Sequence, residues 1–331
     1  MPMGEAEHGH AWTSPEITAM TTAVTRAPSV HNVQPWQLQV RDRTAVLSER
    51  PGIELATHDP FHRDRDISGG AALSNLVLAV RNTGWDVDIT RAAEDDDLVA
   101  TVVATAASPP DETERRCYAA IPQRSSYRRP FKGEPLTRAL RDELVETSAA
   151  HHVDLHWLHG HDEALALARL LVYAANAHRD DVPYQRELAA WLAVDQQDPG
   201  VGVPTEALGE EGLPAVGLTT GKTPLPDEQR LADRIHPESV LVISTSPDTR
   251  VERMRAGEAM QRLWLELTSR GLVASVMTQP LRLGEVRAAL PRYVDLRGVP
   301  QLIMRIGVPS QAPPRRSARR SENDVLREPP Q

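Results

Sequence analysis

Nine residues are the most informative part of this chain: Pro28-Ser29-Val30-His31-Asn32-Val33-Gln34-Pro35-Trp36. They follow a predicted helix that begins near Thr13, because Thr13 and Glu16 have the spacing of a capping box. That helix must end before Pro28, since the residue preceding a proline avoids the helical conformation. The polar side chains between the two prolines could bind the edge of a heteroaromatic ring. They could equally form a polar turn that caps neighbouring backbone groups.

A second segment, Gln123-Arg124-Ser125-Ser126-Tyr127-Arg128-Arg129-Pro130-Phe131, is basic and rich in hydroxyl groups. In an extended conformation Arg124, Ser126 and Arg128 point to one side, because side chains alternate along a strand. Two guanidinium groups and a hydroxyl on one side would suit a phosphate dianion. On charge alone, a solvated basic stretch is the simpler interpretation.

Together the two segments resemble the FMN-dependent nitroreductase family. That family has an Arg-x-Ser-x-Arg/Lys element, matched at Arg124, Ser126 and Arg128, and a Pro-Ser-Ser-x-Asn-x-Gln-Pro-Trp element. The second element is matched here with Val30 in place of the second serine and His31 at the variable position. Arg305–Pro309 and Pro313–Arg316 resemble the family's final strand and its C-terminal basic pair. The resemblance is strongest to the dormancy-associated Acg-type branch of actinobacteria.

The resemblance implies an α+β, nitroreductase-like fold, FMN as cofactor and no metal. It also implies that the backbone of Val276–Pro280 runs beside flavin N5, the atom that accepts hydride. Arg128 is expected to clamp the phosphate and to place positive charge near N1 and O2. The cofactor-binding residues expected on this basis are Pro28, Ser29, His31, Asn32, Gln34, Arg124, Ser126, Arg128, Thr278, Gln279, Arg315 and Arg316.

The function implied is hydride transfer from NAD(P)H through flavin N5 to a nitroaromatic or quinone-type acceptor. The cofactor carries this chemistry, so we expect no catalytic side chain. The alternative is an FMN-binding or FMN-sequestering protein with little turnover. That alternative rests on a long Gly/Pro-rich run from Asp198 to Pro226, within a predicted lid insertion over about 176–236, which could cover the flavin.

The chain also contains an internal repeat. Gly70–Trp85 aligns without gaps on Gly257–Leu272, 187 positions later, with five identities. Chance similarity of two amphipathic helices is the competing explanation. We expect two fused nitroreductase-like halves, 1–114 and 115–331, forming an intramolecular pseudo-dimer. The first half keeps the ring-contacting loop and the second keeps the phosphate-binding element, which predicts one composite FMN site in a monomeric chain.

Between these motifs the pattern predicts several elements. They are a hairpin over Gln37–Ser48, a helix from Ser68 to Arg81, strands at Leu98–Thr105, Ser239–Thr245 and Gln301–Ile306, helices at Asp162–His178 and Tyr184–Val194, a linker at Ala107–Glu114, and a loose tail from Pro313.

Composition narrows the functional classes. The chain has 37 Lys and Arg against 46 Asp and Glu, and a net charge of −9, which disfavours nucleic-acid and membrane-surface binding. A single cysteine, Cys117, and the absence of a signal-peptide pattern at the start predict a cytoplasmic protein. Gly217–Thr223 imitates a phosphate-binding P-loop, but Pro224 and Pro226 forbid the helix that motif needs. The five histidines from His151 to His161 fit a strand with one solvent-exposed face better than a metal site.

Overall fold

A computed structural model describes residues 11–93, 97–148, 152–193, 200–204, 219–220, 223–313 and 316–327 of the chain. Its first part contains helices and an antiparallel sheet with strand order β1-β2-β4-β3. The elements are α1 (Ser14–Thr25), β1 (Trp36–Arg41), β2 (Thr44–Glu49), α2 (Arg63–Asn82), β3 (Trp85–Arg91) and β4 (Leu98–Ala107). Thr13 and Glu16 form the predicted capping box, and the predicted hairpin is β1 and β2.

The second part contains a second antiparallel sheet with order β6-β7-β9-β8, and β5 pairs with the far end of β9. The elements are α3 (Glu112–Ala120), β5 (Phe131–Lys132), α4 (Arg138–Ser148), β6 (Asp154–Trp157), α5 (Gly160–Asp180), α6 (Val182–Ala193), α7 (Glu228–Ile235), β7 (Ser239–Thr245), α8 (Arg250–Ser269), β8 (Val273–Met277), α9 (Gly284–Tyr293), β9 (Val299–Pro309) and α10 (Glu322–Val325). The mixed helix and antiparallel-sheet content confirms the α+β class.

Helices α2 and α8 pack against each other between the two sheets. Both bounds of α8 lie 187 positions after those of α2, the same offset as the sequence repeat. A Cβ added at Gly70 would lie 2.0 Å from the Met254 carbonyl oxygen, and one added at Gly257 would lie 2.0 Å from the Ile67 oxygen. Met254 is itself 187 positions after Ile67, so the two contacts are reciprocal. This is the arrangement expected of an isologous interface between two copies.

Helices cover both faces of the second sheet. The buried pattern along all of β7 shows that the second sheet is packed on both faces. One face packs on α8, and the other packs on α5, α7 and α9. Helix α7 lies inside the range predicted for a lid, 176–236, but its apolar face belongs to this core. Residues 194–199, 205–218 and 221–222 of the predicted lid lie outside the described residues, as does most of the P-loop-like segment.

Two predicted boundaries were wrong. Helix α2 begins at Arg63 and not at Ser68, because the Asp59 carboxylate accepts hydrogen bonds from the backbone N–H groups of Asp64 and Arg65. The predicted linker contains the start of α3, which a capping box of Asp111 and Glu114 initiates.

The tail is also ordered where it is described. Its residues 316–327 include α10, and the Arg327 N–H donates to the carbonyl of Leu38 in β1. Among the described residues, no helix is both long enough and apolar enough to span a membrane.

Candidate functional site

A cavity lies between α2 and α8, where the two parts of the chain meet. One wall is apolar and comes from Ile67 on α2, Met260 and Trp264 on α8, and Val276 on β8. The rest of the lining is mostly polar and strongly basic. Its lining residues include Pro28, Ser29, Val30, His31, Asn32, Asp64, Ser68, Arg124, Ser125, Ser126, Arg128, Val203, Thr278, Gln279, Arg316, Ser317 and Arg319.

Arg124 is the most confined of the cationic groups. Its side chain is 5% exposed, and its guanidinium lies 4.5 Å from the centre of the Trp264 ring. Nη2 donates to the Arg26 carbonyl at 3.4 Å, while Nε and Nη1 are buried without a partner among the described residues. Burial, followed by repulsion from nearby arginines, lowers the pKa of Arg124 to about 9. The group therefore stays charged at neutral pH with two N–H donors unsatisfied.

Further arginines surround the same end of the cavity. Burial lowers the pKa of Arg128 and of Arg319 to about 10, so both are also cationic at neutral pH. Arg319 Nε is a third buried donor at the cavity without a partner in the described chain. Arg316, the fourth lining arginine, donates to the Pro122 carbonyl. Buried cations that face one another are unfavourable unless an anion compensates them, and N–H donors of this kind suit a phosphate.

The loop of residues 28–36 forms part of the rim of the cavity. It contains a short 3-10 helix, Val30–Asn32, and His31, Asn32 and Gln34 all have positive φ angles of 45°, 58° and 51°. The Ser29 hydroxyl accepts from the Gln34 N–H at 3.0 Å and holds this strained turn. Non-glycine residues with positive φ cost energy and concentrate at functional sites. Asn32 lines the cavity, and its buried Oδ1 has no partner within the described residues.

The remaining edge follows β8. The Asp64 carboxylate accepts from the Thr278 hydroxyl at 2.6 Å and from the Gln279 side chain at 3.2 Å. Arg63 pairs with the same carboxylate at 2.6 Å. These bonds tie the end of β8 to the start of α2 and fix the backbone that runs along the cavity.

Comparison with known proteins identifies this architecture. A model of the nitroreductase family matches residues 121–308, more than half of the chain. The chain belongs to the nitroreductase family. The resemblance inferred from two short segments is therefore confirmed.

Other members of the nitroreductase family extend the match. A Mycobacterium tuberculosis protein named "Putative NAD(P)H nitroreductase Rv3131" is 30% identical over 88% of this chain and 84% of its own length. Another from that organism, named "Putative NAD(P)H nitroreductase acg", is 25% identical over 95% of this chain and 96% of its own. The solved FMN-dependent nitroreductase NfnB of Mycobacterium smegmatis, in complex with NADPH, is 14% identical, with a TM-score of 0.42 over 64% of this chain and 97% of its own.

The cavity brings together ten of the twelve residues predicted from the nitroreductase resemblance. They are Pro28, Ser29, His31, Asn32, Arg124, Ser126, Arg128, Thr278, Gln279 and Arg316. Gln34 is an exception, because its side chain lies behind the rim. There it donates to the Gly200 carbonyl at 2.7 Å and accepts from the Arg320 N–H at 3.0 Å, joining three segments. Arg315 lies outside the described residues.

Several lining residues were missed by sequence reasoning. Arg319 follows the predicted basic pair closely, and the second pair, Arg319-Arg320, was the available signal. Asp64 and Trp264 belong to no short motif, and only the packing of α2 on α8 brings them to the cavity.

Proposed function

We propose that the chain is an FMN-binding reductase that takes hydride from NAD(P)H and reduces nitroaromatic or quinone-type acceptors. The observation that carries the proposal is the cluster around Arg124, where two buried guanidinium N–H groups have no partner among the described residues. A phosphate dianion would satisfy these donors and neutralise the neighbouring cations. Membership of the nitroreductase family, with relatives named NAD(P)H nitroreductases, supports the same assignment.

The other walls of the cavity fit the rest of the FMN molecule. Ile67, Met260 and Val276 offer apolar surface for a flat ring system. The unpartnered Asn32 Oδ1 is an acceptor available to a ring N–H. Arg128 would contribute positive charge beside the ring, which stabilises the negative charge that develops on reduction. The bound flavin supplies hydride transfer, and the residues of the chain bind it, orient it and exclude water.

Replacing both Arg124 and Arg128 by alanine tests the proposal. Each charge-assisted hydrogen bond to a phosphate contributes roughly 1.5–3 kcal/mol, so we expect FMN affinity to fall at least about 100-fold. The readout is flavin absorbance that co-elutes with the protein on gel filtration after reconstitution with FMN. Arg129→Ala is the matched control, because Arg129 pairs with Gln311 and does not line the cavity. Unchanged FMN content in the double variant would refute the phosphate assignment.

A second candidate function is storage or sequestration of FMN with little turnover. It is favoured by the segment 200–204, which packs over the rim. Gly200 accepts hydrogen bonds from Asn32 and Gln34, and Val203 lines the cavity. If this cover prevents a nicotinamide from stacking on the flavin, hydride transfer fails.

Anaerobic addition of NADH or NADPH separates the two candidates. A reductase loses its oxidised-flavin absorbance rapidly with either nucleotide and regains it on addition of a quinone. A storage protein is bleached by dithionite alone.

A further inference from the structure

A buried histidine pair stands beside the cavity. His31 lines the cavity and is 6% exposed, and His58, which precedes α2, is 1% exposed. His31 Nε2 and His58 Nδ1 are within hydrogen-bond distance, and the two rings meet edge to face with centroids 4.4 Å apart. Neither ring is needed to bind a phosphate.

The partners of His58 determine which nitrogens carry protons. His58 Nε2 lies 3.1 Å from the Tyr184 carbonyl oxygen, which can only accept, so Nε2 carries a hydrogen. In neutral His58, Nδ1 is then an acceptor, and His31 must donate to it from Nε2. His31 Nδ1 is left as a lone pair on a cavity-lining ring, without a hydrogen-bond partner in the described part of the chain.

The surroundings of the pair keep it in this state. The His58 ring stacks on Tyr184 at 3.9 Å, and its backbone N–H donates to Glu187 at 3.0 Å, so the ring is held firmly. The charged or titratable groups facing His31 are His58 and Arg128. Those facing His58 are His31, Tyr184, His178, Glu187, Arg282 and Asp64. Burial, followed by His58 and Arg128, lowers the pKa of His31 well below its usual value. His31 is therefore neutral at pH 7, and its Nδ1 carries no proton.

We propose that His31 carries the second proton of the two-electron reduction, taking it up at Nδ1 and delivering it to an oxygen of the acceptor, while His58 is the positioning residue that fixes its tautomer. This inference rests on the proposed function. NAD(P)H supplies two electrons and one proton as hydride, and His31 takes one proton from solvent. A quinone receives the hydride equivalent and the His31 proton and leaves as hydroquinone, which returns His31 to its neutral form. The sum is NAD(P)H plus H⁺ plus quinone giving NAD(P)⁺ plus hydroquinone.

The timing of proton uptake follows from electrostatics. Reduction of the cofactor adds negative charge to the cavity, and a nearby negative charge favours the protonated form of an imidazole. Protonation of His31 is therefore coupled to arrival of the electrons, and departure of the electrons releases the proton to the acceptor.

The test compares acceptors that do and do not need a proton. FMN-loaded His31→Gln is reduced with dithionite and mixed anaerobically with a quinone or with ferricyanide, which takes electrons singly and no proton. General-acid groups contribute about 100-fold or more, so quinone reduction should slow by that factor and ferricyanide reduction by much less. His236→Gln, which replaces an exposed histidine, is the control and should match the wild type with both acceptors. Equal slowing with both acceptors, or none with quinone, overturns the proposal.

Two readouts do not depend on turnover. The slope of the flavin midpoint potential against pH should correspond to two protons per two electrons in the wild type. In His31→Gln it should correspond to one proton per two electrons, and equal slopes in the two proteins contradict the proposal. Nitrogen-15 NMR of the cofactor-free protein should show neutral His31 protonated at Nε2. His58→Asn keeps an acceptor and should retain this signal, whereas His58→Leu should lose it. Protonation of neutral His31 at Nδ1 would overturn the inference, whether or not the chain binds FMN. Flavin absorbance reports FMN binding separately, so failure of the proposed function is distinguished from failure of this inference.

Discussion

His178 is buried behind the cavity, with 3% of its surface exposed. Its Nε2 lies 3.0 Å from the Gln279 carbonyl, and its ring stacks on Tyr184 at 4.4 Å. Burial lowers the pKa of His178 from 6.5 to about 4, despite the hydrogen bond to Gln279, which acts in the opposite direction. His31 and His58 have pKa values lowered by burial as well.

We expect His178 to make the protein less stable as the pH falls. A histidine with a lowered pKa in the folded state binds fewer protons there than in the unfolded chain. Its stabilising contribution is complete above pH 6.5 and is lost as the pH falls towards 4. For His178 the loss in the free energy of unfolding is up to about 3 kcal/mol, at roughly 1.4 kcal/mol for each unit by which the pKa is lowered.

Urea unfolding at several pH values measures this effect. His178→Gln should show a shallower decline in the free energy of unfolding between pH 6.5 and 4 than the wild type. Parallel curves for the two proteins would show that His178 does not titrate as described.

The residues of the site differ in how far sequence could predict them. Arg124, Ser126 and the 28–36 loop are local motifs, so their spacing along the chain already indicates a shared face. Asp64, Trp264 and Arg319 become neighbours of these motifs only through tertiary packing, which no local spacing encodes. Gln34 does not line the cavity, which its motif could not show, because a motif gives residue identity but not the direction in which a side chain points.

At the scale of elements, the contact of α2 with α8 depends on two glycines. Gly70 and Gly257 each lie against a carbonyl of the opposite helix, closer than any Cβ can approach. Small residues at a crossing let two helix backbones approach closely. The sequence repeat already aligned these two glycines, because Gly70 and Gly257 occupy corresponding positions.

We predict that Gly70→Ala and Gly257→Ala each destabilise the protein by about 3 kcal/mol or more, because the added methyl meets rigid backbone and the helices must separate. Denaturant midpoints measure the change. Gly69→Ala is the matched control on the same helix, since its methyl would meet only the Val99 side chain, at 3.1 Å. Similar losses at positions 69 and 70 would contradict the close crossing.

Element boundaries show where local signals were insufficient. The cap of α2 comes from Asp59, four residues before the helix, which is outside the usual N-cap spacing. The start of α3 did have a local signal, the Asp111 and Glu114 capping box, inside a proline-rich segment that was interpreted as a linker.

At the scale of the whole molecule, we propose that the two halves, 1–114 and 115–331, form an intramolecular pseudo-dimer. The two sheets share one strand order, β1-β2-β4-β3 against β6-β7-β9-β8. The halves are also interlocked, since α10 returns to pack on α1 and β1.

The internal repeat relates the residues that line the cavity to a second set of residues, and different side chains stand at those positions. The counterpart of Thr278 is Arg91, which pairs with the 3% exposed Glu258 through two bonds of 2.7 and 2.8 Å. The counterpart of Ser68 is Arg255. A buried ion pair thus occupies the position where a second cavity would require a small polar side chain.

We therefore expect one FMN per chain in a monomeric protein. Flavin absorbance against protein concentration, together with native mass spectrometry, should give a ratio near one and the mass of a single chain. A ratio near two would mean that the Arg91–Glu258 pair does not close the second position.

The reciprocal contact of α2 with α8 has a further effect when protein is scarce. A site shared between separate subunits empties on dilution, because the subunits dissociate by mass action. Here Pro28 and Arg124 both line the cavity and belong to one polypeptide, so their local concentration is set by the chain itself. Occupancy by the cofactor then depends on the supply of cofactor and not on the number of protein copies, which suits a molecule present at very low abundance.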